Sequence, residues 1–319
     1  MKHGKPISAA MLLLLPLLAL LVAATAWAGE CILLQSSTLK PYAEAGQGFE
    51  KAWNAKQPLA GPKSITLGTL THIVLSEQTE ENTRTLKKLL QNTELVVVIG
   101  DPALDFVRDL RVTPIIYLLA PSAKELPANF TGIDLRILPS RQLETMSRLM
   151  PNLRRVGALY NPNESGHWVQ EALTSPASAV ETLLFKKVTS PSLVPEALIS
   201  LGNNAIDAYW LLPDELVTNP QTMEHLRNFS ITNRVPIISF SEKYLKTGAA
   251  AAITFDMADM GSQAAELAAR IRAGETPAAI PVEPPRRQRV IVNTSVFRKM
   301  VVPINEIMVD EIYSGETRP

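Results

Sequence analysis

The chain has 319 residues, with 31 Lys and Arg against 31 Asp and Glu, four His, one Cys, and 46% hydrophobic but only 6% aromatic residues. That length supports one large or two medium cores, and formal neutrality provides no field for a polyanion, so sequence-tolerant nucleic-acid binding is excluded. A single cysteine, Cys31, excludes an intrachain disulfide and any cysteine-rich metal site.

The first 28 residues differ from the rest. Lys2, His3 and Lys5 precede an apolar run from Ala9 to Ala24 broken by Pro16, followed by Ala26-Trp27-Ala28. A basic head, an apolar stretch shorter than the ~20 residues of a membrane span, and small residues at a peptidase cleft outline a signal peptide cleaved near Ala28. A retained anchor is the alternative, weakened by Pro16. Glu30 before Cys31 speaks against a lipid-modified cysteine, which instead opens the first strand. Cleavage removes two lysines and leaves 29 basic against 31 acidic residues, in a chain expected to be exported to the periplasm or beyond.

Short apolar runs then alternate with stretches of helical spacing, the pattern of βαβ units and parallel sheets. The predicted strands are Cys31–Leu34, Ser64–Leu70, Leu95–Ile99, Pro114–Leu119, Arg155–Tyr160, Ala205–Leu211, Pro236–Phe240, Ala249–Thr254 and Arg289–Val292. Among the predicted helices, Tyr42–Lys56 carries Phe49, Ala52 and Trp53 on one face. Gln78–Gln91 carries Leu86, Leu89 and Leu90, and Arg141–Met150 carries Leu143, Met146, Leu149 and Met150. The alternation breaks between Ala120 and Leu138, at Tyr244–Gly248 and near Pro284-Pro285, which are read as three crossings between two lobes. The resulting expectation is an α/β protein of two doubly wound parallel-sheet lobes joined by a three-segment hinge, lobe 1 being 29–122 plus 248–283 and lobe 2 123–247 plus 284–319.

No nucleophile elbow, phosphate loop or His-Glu-x-x-His helix occurs, and Gly46-Gln47-Gly48 falls inside a predicted helix rather than after a strand. His167 beside Glu164 and Trp168 has no nucleophile placed with it, so a catalytic role is not expected, nor is a cofactor or metal.

In open parallel sheets ligands bind beyond the carboxyl ends of the strands, which selects particular loops. Ser36 and Ser37 follow the first strand, offering hydroxyls at a helix entry or simply capping that helix. Gly100 and Asp101 precede Pro102; Gly permits close approach, and Asp101 either caps a helix or favours a ligand amine over a carboxylate. Asn161, Asn163, Glu164 and Ser165 follow the strand ending at Tyr160, and Asp214 follows Pro213 with a carboxylate for a ligand ammonium. Solvated loop and cap residues are the plainer reading of both groups. Ser239, Phe240, Phe255 and Asp256 complete the set, with Tyr42, Tyr117 and Trp168 as further aromatic candidates for stacking.

The order of several words resembles the exported substrate-binding proteins of ABC transporters with the type I periplasmic-binding fold, in the group that includes aromatic amino-acid binders. The words are Val97-Val98-Ile99-Gly100, Thr113-Pro114-Ile115-Ile116-Tyr117, Asn129-Phe130-Thr131-Gly132-Ile133, Arg155 to Ser165, Ile206-Asp207-Ala208 with Pro213-Asp214, and Val235 to Ser239. Gly248-Ala249, Met260 to Ala265, Gly274-Glu275-Thr276-Pro277 and Val292-Asn293 follow in the same order. The resemblance implies a non-enzymatic, monomeric protein that closes around a small amino-acid-like ligand in the cleft between its lobes and delivers it to an ABC permease. A ligand-sensing module for a membrane receptor and an exported α/β enzyme are the alternatives. Relatives carry Asp-Pro where this chain has Leu119-Ala120-Pro121-Ser122.

Overall fold

The computed structural model describes residues 30–55, 68–136, 138–174 and 180–315; the leader predicted over 1–28 and the strand start predicted at Ser64 lie outside them. The chain divides into two compact units, Met1–Gly132 with Gly261–Pro281, and Ile133–Met260 with Val282–Pro319.

In the first unit the described strands are β1 (Glu30–Gln35), β2 (Thr69–Val74), β3 (Leu95–Ile99), β4 (Ile115–Leu118) and β5 (Phe130–Ile133), arranged in the order β2-β1-β3-β4-β5. β1 pairs in parallel with both β2 and β3, and β3 with β4, so Ile32 lies opposite Val96 and Val98 opposite Tyr117. β1, β3, β4 and β5 are buried almost without interruption because a parallel sheet is covered on both faces, whereas β2, at the end of the sheet, is only partly buried. Ile32, Leu34, Val96 and Val98 form one core with Leu86 and Leu90 of α2 (Glu80–Gln91) and Ala103, Leu104 and Val107 of α3 (Asp101–Val107). Alternation along the strand turns Cys31, Leu33 and Gln35 to the opposite face, where α1 (Lys40–Asn54) packs on β1 and β3.

In the second unit the described strands run in the order β12-β11-β10-β9-β8-β6-β7. They are β6 (Arg155–Tyr160), β7 (Thr182–Lys187), β8 (Ala208–Trp210), β9 (Ile237–Ser239), β10 (Ala251–Phe255), β11 (Gln288–Val292) and β12 (Glu311–Ile312). β6 to β10 are mutually parallel, whereas β11 runs antiparallel to β10. Period-two alternation separates two cores. Val156, Ala158, Trp210, Ile238 and Ile253 pack with α4 (Pro139–Leu149), α5 (Gly166–Thr174) and α10 (Thr294–Met300). Leu159, Tyr209, Leu211, Ile237 and Ala252 pack with α6 (Val194–Asn203) and α8 (Pro220–Asn233). Helix starts follow local chemistry: Thr79, Asn219 and Asn293 accept backbone N–H bonds at the caps of α2, α8 and α10.

The predicted boundaries at 122, 248 and 283 move. β5 joins the first sheet beside β4, carrying the first unit to Gly132. β10 sits between β9 and β11, so residues 248–260 belong to the second unit. The chain changes units inside α9 (Met257–Arg272), after Met260. The cause is local: a Cβ at Gly261 would collide with the Ala45 carbonyl and lie 2.6 Å from the Phe49 nitrogen, so from Gly261 onward α9 lies directly on the α1 backbone. β5, β7 and β12 were not predicted. β5 and β12 are four and two residues long, and Lys186 and Lys187 interrupt the apolar run of β7, which ends the second sheet.

Gly261→Ala should lower stability by about 1–3 kcal/mol, read as a reduced urea midpoint, because backbone rather than a flexible side chain must yield. A second expectation concerns alkaline pH. Burial raises the Cys31 thiol from 9.0 to about 12, and burial likewise raises the Tyr209 phenol. Both groups stay protonated in the fold where they would ionise unfolded, so their contribution is complete below pH 9 and falls as pH rises towards 12. The urea midpoint should therefore drop progressively across that window, and Cys31 should resist thiol reagents until the protein is denatured.

Candidate functional site

Parallel pairing places the carboxyl ends of β1, β3 and β4 on one edge of the first sheet, and those of β6, β8, β9 and β10 on one edge of the second. All the predicted ligand-binding residues except Tyr42, Tyr117 and Asp101, which opens α3 directly after Gly100, lie on these strand ends or in the loops that leave them. The edges are built chiefly by hydrogen bonds between neighbouring loops.

In the first unit Ser36 is buried, and its hydroxyl is engaged as donor and as acceptor within the protein. It donates to the Ile99 carbonyl at 2.7 Å and accepts from the Ala103 N–H at 3.0 Å, tying the end of β1 to the first turn of α3. It therefore does not present a hydroxyl to a ligand, as the sequence suggested. Ser37 is half-buried, and its carbonyl accepts from Gln35 Nε2 at 2.6 Å. Gly100 has φ +92°, and a Cβ there would lie 2.6 Å from Ser36 Oγ and 2.8 Å from Tyr42 Cζ. Glycine is required both for that dihedral and for the approach of the Tyr42 ring. Asp101 begins α3, and its Oδ1 accepts from Ser122 N–H at 2.9 Å and Ser122 Oγ at 2.6 Å. Tyr117 is corrected from ligand wall to core residue: it packs with Val96 and Leu104, and a Cβ on Gly132 would lie 2.7 Å from its Cγ.

In the second unit one buried carboxylate organises two loops. Asp214, 3% exposed, accepts from Asn161 N–H at 2.7 Å and Ser165 Oγ at 2.5 Å through Oδ2, and from Val217 N–H at 3.1 Å through Oδ1. It caps α7 (Glu215–Thr218) and ties the loop after β6 to the loop after β8. Glu164 doubles the tie, with Oε1 accepting from Asn161 Nδ2 at 2.9 Å and Oε2 from Glu215 N–H at 2.6 Å. Asn163 is exposed and donates its N–H to Asn161 Oδ1 at 3.2 Å. The cap reading of Asp214 is met by its bond from Val217 N–H, but the residue is buried rather than solvated, and its two oxygens hold backbone and hydroxyl donors inside the fold.

Ser239 is also buried, and its hydroxyl lies 2.9 Å from the Ser241 carbonyl and 3.1 Å from that of Ala251. Phe240 and Phe255 are half-buried at the ends of β9 and β10, Phe240 lying edge-on to Tyr244 with centroids 5.4 Å apart. Asp256 accepts from Asp259 N–H at 2.9 Å and faces Arg287 at 3.8 Å. Trp168 is half-buried against His167.

Sequence reasoning missed three contacts that shape these edges. Ser122 was visible only as a departure from the family dipeptide, yet it holds Asp101. Gln142, buried in α4, accepts from Trp210 Nε1 at 2.8 Å and donates to the Ile253 carbonyl at 3.3 Å, joining β8 and β10 to the helix. His72 on β2 bridges Glu50 at 2.6 Å and Gln35 at 3.2 Å, behind the Ser37 turn. None has a motif, because each joins residues at least twenty positions apart. Among the described residues no group of three or more His, Cys, Asp or Glu is placed to hold a metal ion.

Two α/β units with polar loops gathered at the carboxyl edges of mostly parallel sheets define the class of periplasmic-binding-type folds. Within it, the chain belongs to the ABC transporter substrate binding protein family, whose model matches residues 77–313. A tyrosine-binding protein of Clostridioides difficile (strain R20291) is 25% identical over 184 residues, covering 57% of this chain and 52% of that protein. The match thus spans about half the length of that curated relative. Among solved structures, the ligand-free, open form of a substrate-binding protein with adhesive properties from Clostridium difficile superposes with a TM-score of 0.65. It is 19% identical, with 89% of this chain and 99% of that one covered. A chain of the XylFII–LytSN complex gives 0.54 at 12% identity, with 84% and 99% covered. These likenesses establish the fold.

Because Asp214 unites two loops from inside the unit, Asp214→Asn should cost about 1.5–3 kcal/mol, measured by urea unfolding. Glu164→Gln, at the exposed end of the same network, should cost less than half as much.

Proposed function

We propose that this protein is the exported solute-capturing component of an ABC importer, binding a small amino-acid-like ligand without turnover and delivering it to a membrane permease. Family membership over residues 77–313 is the observation that carries the reading. The 25% identity to a protein named for tyrosine binding supports an amino acid as the ligand class. The leader-like segment ending near Ala28 supports export, and the mature protein is proposed to act as a monomer.

The polar chemistry of the edges suits such a ligand. Ser37, Tyr42 and Asp101 in the first unit and Asn163, Phe240 and Phe255 in the second are proposed as contact residues; each is at least partly exposed. Ser36, Ser165, Asp214 and Ser239, with Gly100, are proposed to support them from within. Rigid support of this kind lets a binding loop keep its shape before the ligand arrives, lowering the ordering cost of binding.

Purified mature protein is expected to show a thermal upshift with at least one of the twenty L-amino acids, and to retain such a ligand detectable by mass spectrometry after denaturation. No upshift with any of them, and no amine-bearing molecule released, would overturn the amino-acid reading.

A further inference from the structure

Four of the predicted acidic residues lie at the carboxyl edges, and their oxygens are engaged to different degrees. Asp214 and Glu164 each use both oxygens within the protein. Asp256 uses one on Asp259 N–H and turns the other towards Arg287. Asp101 is different: both of its hydrogen bonds, from Ser122 N–H and Ser122 Oγ, arrive at Oδ1. Its Oδ2 takes no hydrogen bond from a described residue, and the side chain is half-exposed.

Ser122 is itself held. Arg108 Nη2 lies 3.2 Å from its carbonyl and 3.3 Å from its Oγ, while Arg108 Nε binds Asp105 at 3.1 Å. A serine hydroxyl has one proton, and with Arg108 filling its acceptor side that proton is directed to Asp101. The chain reaches this position through Leu119, a buried non-glycine residue at φ +54° immediately after β4. Left-handed backbone is unfavourable for such a residue and persists only where surrounding contacts hold it. The Ser122 contacts with Asp101 and Arg108 are such holds.

We propose that Ser122 is a positioning residue that fixes the Asp101 carboxylate by Oδ1 so that Oδ2 receives the ammonium group of the ligand. The proposal rests on the amino-acid-binding reading above and names which group of the ligand is read, and by which atom. An ammonium presents three donors and no acceptor, so a fixed carboxylate oxygen suits it and would repel a carboxylate. Gly100, which brings Tyr42 and Ser36 against the adjoining backbone, places an aromatic ring in the same corner.

The test is calorimetric titration of the mature protein with L-tyrosine and with 3-(4-hydroxyphenyl)propionate, which lacks only the ammonium. If tyrosine is not bound, the tightest binder of the twenty L-amino acids and its des-amino acid replace them. Asp101→Asn, which keeps the Oδ1 acceptor for Ser122, should weaken the amino acid about 10- to 100-fold and leave the des-amino acid within about 3-fold. Ser122→Ala should weaken the amino acid alone, about 3- to 10-fold, with Ser122→Thr restoring it. Thermal melts of each variant separate misfolding from altered recognition. Equal losses for both ligands, or no loss in Asp101→Asn, would overturn the proposal while leaving the function intact. Failure of the wild type to bind any amino acid would overturn both.

Discussion

Parallel strand pairing is the constraint on which the rest of this protein depends. A parallel sheet needs a crossover between successive strands and cover on both faces, so helices are forced onto both sides and every strand must start from the same edge. The second consequence matters for function. β6, β8, β9 and β10 release their loops at one edge of the seven-stranded sheet, and β1, β3 and β4 do so in the five-stranded sheet. Segments far apart in sequence, such as those after Tyr160 and Phe255, are thereby delivered to the same edge with no sequence signal linking them.

Once the loops are gathered, short polar side chains hold them in place. Asp214 and Ser36 do equivalent work in different units: each is nearly inaccessible to water, and each ties a strand end to the start of a helix that follows another strand. Burying a carboxylate or hydroxyl is costly unless its hydrogen bonds are made, and here they are made to backbone groups that would otherwise be unsatisfied at helix starts. The residue types that mark a binding loop in sequence are thus the same ones that stiffen it. The distinction lies in exposure and in which oxygen remains unengaged, as the contrast between Asp214 and Asp101 illustrates.

Membership of the ABC transporter substrate binding protein family gives these edges a context. The cores are aliphatic and alanine-rich, as in Ala249 to Ala252 leading into β10, and aromatic residues are sparse. Several of the few available, including Tyr117, Tyr209 and Trp210, are enclosed in the cores, whereas Tyr42, Phe240 and Phe255 remain partly accessible. A protein with so few aromatics therefore still places three at strand ends or beside the glycine that admits one of them.

Much of this was legible in the residues themselves. The apolar runs at Leu95–Ile99 and Arg155–Tyr160 coincide with β3 and β6 to the residue, and the apolar faces of Gln78–Gln91 and Arg141–Met150 supplied Leu86, Leu90, Leu143 and Met146 to the cores. Local periodicity determines these elements because burial on both faces leaves a continuous apolar signature, and the ordered family words carried the fold class. Only the tertiary structure decided where the units begin and end, since β10 reads like any buried strand and joins the second sheet through its neighbours β9 and β11. It alone decided that Tyr117 belongs to a core, that Ser36 and Asp214 face inward, and that Ser122 meets Asp101. Periodicity reports which side of an element is buried, whereas hydrogen-bond partners are set by strand register and loop path, which no local stretch of sequence encodes.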